Sequence, residues 1–178
     1  MTLKKVIAMG LTAMAAVSAM SINAFAAYNV PEMSDDGISL YVNYGGAPLN
    51  DNVGWYLSNG SFRDTMNGLS SSNGRGYSDR WFKTTSTKSC HLDVSNVDTN
   101  GEKGTITFIV KDRSNGATMK DSSGKSMIYT FTSNDNGEIT GITTKNLVFS
   151  SQAEFYFEIQ TSNPKTTKCY GYYAVSAY

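Results

Sequence analysis

The stretch "KTTSTKSCHLDV", residues 83–94, sets the only histidine of the chain, His91, directly after Cys90, one of two cysteines. A thiol within reach of an imidazole is a nucleophile with its base. The spacing here opposes that chemistry. Side chains alternate along an extended chain, so Cys90 shares a face with Leu92 and Val94, while His91 points away with Ser89 and Asp93. In "KCYGYYAV", Cys169 likewise sides with Tyr173 and Val175. Two inward sulfurs in an exported chain read as a disulfide, and a Cys90–Cys169 bridge would contribute roughly 4–5 kcal/mol by restricting the unfolded chain.

Other residue patterns that could carry chemistry fall short. "SSGKS" at 122–126 ends like a phosphate-binding loop, but Met119 stands where its first glycine belongs. Glu154 and Glu158 share one strand face, yet four residues of strand hold their Cα atoms about 13 Å apart, beyond the carboxylate spacings of glycosidases. A partner would have to come from another strand, Asp93 for example. One histidine beside a bridged cysteine cannot complete a zinc set. The acidic turns "DTNGE" at 98–102 and "SNDNGE" at 133–138 offer oxygen ligands to calcium without the EF-hand spacing, and hairpins need the same residues. No catalytic residue, metal site or cofactor is expected, calcium being the one ion these turns would suit.

The elements that must position any site are strands. "ISLYVNY", "TITFIVK" and "EFYFEIQ" alternate apolar and polar residues, and "SMIYTFT" and "CYGYYAVSAY" are rich in aromatic and β-branched residues. Asn-Gly occurs six times and suits type I′ hairpins, so Asn100-Gly101 and Asn136-Gly137 predict antiparallel connections between the strands they join. The expected fold is an all-β antiparallel sandwich, with a barrel as the alternative. Residues 58–80 break the alternation with Gly, Ser and Asn. They predict one long polar surface loop, in which Ser61 and Asp64 would cap a helical turn ending at Leu69.

Residues 1–26 have the form of a secretory signal: Lys4 and Lys5, an apolar run, then Ala24 and Ala26 before the cleavage point. Residues 27–178 then form a single secreted domain, with no transmembrane segment once the signal is removed. Without the two signal lysines, 13 basic residues face 15 acidic ones, a formal charge of −2, which leaves no electrostatic footprint for nucleic acid.

What remains is aromatic surface. Eleven tyrosines and two tryptophans lie in this small domain, and if the cysteine face of the last strand is inside, Tyr170, Tyr172 and Tyr178 stand outside or at its edge. Together with Trp55 and Trp81 they are the candidate binding residues, since such rings stack on sugars or anchor protein contacts without any titrating group. The signal, the mature start "AYN" and the strand and Asn-Gly pattern resemble the small secreted all-β proteins of Gram-positive bacteria, some of them bacteriocin-like. That resemblance implies secretion and a non-enzymatic role. The expected function is recognition of cell-envelope glycan or an extracellular protein through the aromatic surface; the alternative is a bacteriocin-like or toxin-like effector acting on another cell's envelope.

Overall fold

The computed structural model describes residues 46–69, 76–99, 101–161 and 169–178, and these fold as β structure. The strands are β1 (Gly54–Tyr56), β2 (Phe62–Leu69), β3 (Gly76–Tyr77), β4 (Trp81–Lys83), β5 (Ser89–Asp98), β6 (Thr105–Asp112), β7 (Ile128–Thr132), β8 (Glu138–Val148), β9 (Glu154–Thr161) and β10 (Cys169–Ala177). They form two sheets. One has the order β2-β10-β5-β8; the other has the order β1-β4-β9-β6-β7, with β3 also paired to β9. Neither closes into a barrel. Every pairing is antiparallel except β1 with β4. Residues 1–26, expected as a signal, the strand expected at "ISLYVNY" and the serine-rich stretch 70–75 lie outside the described residues.

Alternation explains the packing. Leu92 and Val94 of β5, Tyr173 and Val175 of β10, and Phe62 and Met66 of β2 meet Phe108 and Val110 of β6 and Phe155, Phe157 and Ile159 of β9 in one shared core. The aromatic rings knit the two sheets together: Phe62 lies 5.3 Å from Phe82, and Phe108 lies 5.5 Å from Tyr173. The arrangement is sandwich-like, with the two inner faces interdigitating. On β9 the outer face is covered as well. Tyr156 and Glu158 are buried beside Tyr77, Lys111 and the turn at Gly116, so this strand is not the half-buried one that its alternation predicts.

Two sequence expectations need correction. Residues 62–69 are not a loop with a helical turn but an eight-residue edge strand paired along β10. Its inward row is Phe62, Asp64, Met66, and the acid in the middle hides the apolar alternation. Asp64 is 2% exposed and accepts from the Tyr173 hydroxyl at 2.9 Å and the Thr65 N–H at 2.7 Å, so the core supplies the partners that make its burial tolerable. The Asn-Gly connections are also not hairpins. β5 and β8 belong to one sheet and β6 and β7 to the other, so the chain crosses between layers at residues 99–104 and again at 133–137. The two crossings dock on each other: Thr99 N–H donates to Gly137 O at 2.7 Å, and Ser133 N–H to Gly104 O at 3.0 Å. Gly137, at φ +81°, sits where a Cβ would lie 2.7 Å from Glu102 N, so close approach adds to turn geometry in requiring glycine.

The disulfide is the third correction. Both cysteines are buried, as their alternation requires, but they are free thiols. β5 and β10 are antiparallel neighbours in which Cys90 pairs with Ala177, eight residues from Cys169 at the other end of β10. That separation is roughly 25 Å at strand rise, far beyond the Cα distance a bridge tolerates. Burial pushes each thiol up to about 12. The folded protein should therefore resist thiol reagents at neutral pH, and the unfolded, unreduced protein should take up two equivalents. Mass spectrometry after alkylation reads this directly, and uptake of none on unfolding would restore the bridge.

Candidate functional site

The outer face of the four-stranded sheet gathers most of the residues singled out by sequence. Cross-strand register builds it in rows. Thr65, Tyr172, Ser95 and Ile142 stand abreast, then Arg63, Ala174, Asp93 and Thr144, then Ser176, His91 and Asn146. Tyr170, Tyr172 and Tyr178 are exposed, Tyr172 at 36%, and Ile142 is exposed beside them. Bulges cross the sheet above the Tyr172 row, with register shifts in β2 against β10, β10 against β5, and β5 against β8. Asn96 (φ +49°) and Gly141 (φ +79°) take up the left-handed conformations. A line of bulges bends the sheet and re-aims the side chains next to it.

Two of the aromatic rings on this face, Tyr172 and Tyr178, have a polar companion. The Arg63 guanidinium lies 4.1 Å from the Tyr172 ring centroid, and burial among these side chains lowers the Arg63 pKa. His91 stacks on Tyr178 at 4.6 Å, nearly parallel, and its Nδ1 is 2.8 Å from Asn146 Oδ1. An acceptor oxygen there places a proton on Nδ1 and leaves Nε2 as the ring's acceptor when the imidazole is neutral. His91 thus faces away from the Cys90 thiol, on the opposite side of the strand, and no nucleophile–base pair forms between them. Asp93 is buried on this outer face, with one oxygen accepting from the Thr144 hydroxyl.

The tryptophans lie elsewhere, at a corner of the other sheet. Trp81 is 2% exposed, too deeply buried to stack on a ligand, and this corrects its place among the candidate binding residues. Its Nε1–H donates to Asn50 O at 2.9 Å, and the Arg113 guanidinium covers its ring at 3.8 Å. Arg113 in turn pairs with Glu154 at 2.8 Å and with Asp51, while Lys83 holds the other oxygen of Glu154 at 3.1 Å. Lys83 and Arg113 together keep the Glu154 carboxyl below the usual range. Trp55 is half-buried against Phe62, with its Nε1–H on Gly60 O at 3.1 Å. Beside this corner is an open cleft of about 440 Å³, lined by Leu49, Arg113, Ser114, Gln152 and Glu154 among others. The ion pairs around Arg113 pin residues 49–51 to the sheet, a structural task that uses its donors.

The glycosidase geometry does not assemble from the three carboxylates considered. Glu154 and Glu158 lie on β9 and Asp93 on β5, in different sheets, and Asp93 faces outward from its own. At the acidic turn 134–137, Asn134 Oδ1 accepts from the N–H groups of Asn136 and Glu138, closing the turn on itself. Among the described residues no three His, Cys, Asp or Glu side chains gather as a metal set. Arg63, Asp93 and Asn146 escape sequence reasoning because only cross-strand register brings them beside the tyrosines. Only Asp93 carried a hint, the outward parity it shares with His91, since Arg63 fell in the stretch expected as a loop.

No family model matches the chain, and no curated protein matches it. The fold and its outer face are therefore the ground on which function is read.

Proposed function

We propose that this chain is a secreted, non-enzymatic binding module that recognises cell-envelope glycan through the outer face of the four-stranded sheet. The carrying observation is the row register that sets exposed Tyr170 and Tyr172 beside hydroxyl, carboxylate, amide and imidazole groups on one rigid sheet. Sugars are bound by that combination: a ring face stacks on an aromatic while hydroxyls bond to fixed polar groups. The form of residues 1–26 supports export, which would bring the face to an envelope. The sandwich-like fold supports the reading too, because a site on strands is held more precisely than one on loops.

The test is sedimentation of the full chain with purified cell-wall polysaccharide, alongside the double variant Tyr170→Ala, Tyr172→Ala. Stacking losses of about 1 kcal/mol per ring or more predict at least a tenfold weaker interaction, with the melting temperature nearly unchanged because both rings are exposed. Undiminished sedimentation of the double variant would remove this face from consideration. Tight binding to a secreted protein, with none to polysaccharide, would replace glycan by a protein partner.

A further inference from the structure

The outer face of the four-stranded sheet carries more acid than a neutral-sugar platform needs. In the row that holds Tyr170, Asp98 and Glu138 stand directly opposite each other on β5 and β8. One row past Tyr172, Asp93 is only 4% exposed, and it forms no ion pair among the described residues. Its Oδ1 accepts from Thr144 at 2.5 Å, while its buried Oδ2 has no hydrogen-bond partner among the described residues. A carboxylate taken out of water without a cation or a full set of donors costs free energy that a donor from outside would return.

Asp93 lies on the outer side by register: Ala174 and Thr144 flank it across the strands, and Tyr172 is its diagonal neighbour one row on. Diagonal neighbours in a sheet are about 7–8 Å apart, roughly the width of one pyranose with its substituents. Thr144, the partner it does have, is exposed on the edge strand β8 beside the carboxylate. The Tyr172 ring already takes a cation on one face, from Arg63. Tyrosine faces flanked by carboxylates recognise ammonium groups.

Resting on the glycan reading above, we infer that the ligand is an amino-sugar polymer bearing free ammonium groups, with Asp93 accepting the ammonium of a residue stacked on Tyr172. Glu138, exposed in the Tyr170 row, then meets a further ammonium group along the same chain. Arg63 competes for the tyrosine ring.

The experiment is calorimetric titration of the full chain, in low salt and mildly acidic buffer, with a glucosamine hexamer, its fully N-acetylated counterpart and a short polylysine. The glucosamine hexamer should bind at least tenfold more tightly than the acetylated one, and salt should weaken it. Asp93→Asn, which keeps the shape and the Thr144 contact, should remove most of that preference. Arg63→Gln should strengthen binding of the glucosamine hexamer. Equal binding of the two hexamers would overturn the ammonium inference and leave the glycan reading standing. Binding of polylysine alone would overturn both. If Asp93→Asn proves poorly folded by near-ultraviolet circular dichroism, Glu138→Gln, at an exposed position, should still reduce the preference, and an unchanged preference there would equally sink the inference.

Discussion

Replacing Asp64 with alanine is expected to destabilise the fold by about 3 kcal/mol, measured by urea unfolding near neutral pH. The carboxylate sits between the sheets, and removing it strands the fully buried Tyr173 hydroxyl and the Thr65 N–H that now donate to it. Asp64→Asn should cost much less, since an amide oxygen accepts in the same place. The pH dependence separates the two effects. Burial raises the Asp64 carboxyl to about 6, above its usual 3.8, and lifts the Tyr173 hydroxyl well above its ordinary value. A carboxyl whose folded value is raised contributes its stability in full below the unfolded value and loses it as pH rises through the folded one. Stability should accordingly climb as pH falls from about 7 toward 4, by roughly 2–3 kcal/mol from this group. Asp64→Asn should flatten that climb. An unchanged slope in the variant would show that another group titrates in the window.

The second large effect belongs to Arg113. Its guanidinium stacks on Trp81, bonds Glu154, Asp51 and Leu49 O, and so ties the segment before β1 to β4, β6 and β9. Arg113→Ala removes a charge-assisted fork and a stacked cation together, and a loss of about 2–4 kcal/mol follows. Arg113→Lys should recover less than half, because a point charge cannot bond two carboxylates and lie flat on an indole at once. The change should appear in the near-ultraviolet dichroism of Trp81 as well as in the melting temperature. Full rescue by lysine would mean that the charge matters and the planar stacking does not.

These two positions also mark how far the sequence reached. Period-two alternation placed β5, β6, β9 and β10 and put Cys90, Cys169 and Tyr173 inside, because a strand has only two faces and one must be buried. It failed at β2, where the inward residue between Phe62 and Met66 is an aspartate whose solvation comes from Tyr173, more than a hundred positions away in the chain. Local composition cannot announce a partner that only folding supplies. The Asn-Gly turns were legible as turns, but a turn does not encode whether the next strand joins the same sheet or crosses to the other. That choice depends on which inner faces pack together.

Pairing order had the same consequence for the cysteines and for the candidate site. Two inward sulfurs looked like a bridge until antiparallel register set them at opposite ends of adjacent strands. The exposed tyrosines of β10 were readable from parity alone, and so was the outward turn of His91. Their neighbours were not: Arg63, Asp93 and Asn146 come from three other strands, and Trp81 left the surface because Arg113 and Asn50 close over it. The sequence by itself determined which side of each strand a residue takes, since that follows from backbone geometry one residue at a time. Only the tertiary structure decided who stands beside whom, because register and sheet order are settled by packing energies summed over the whole core.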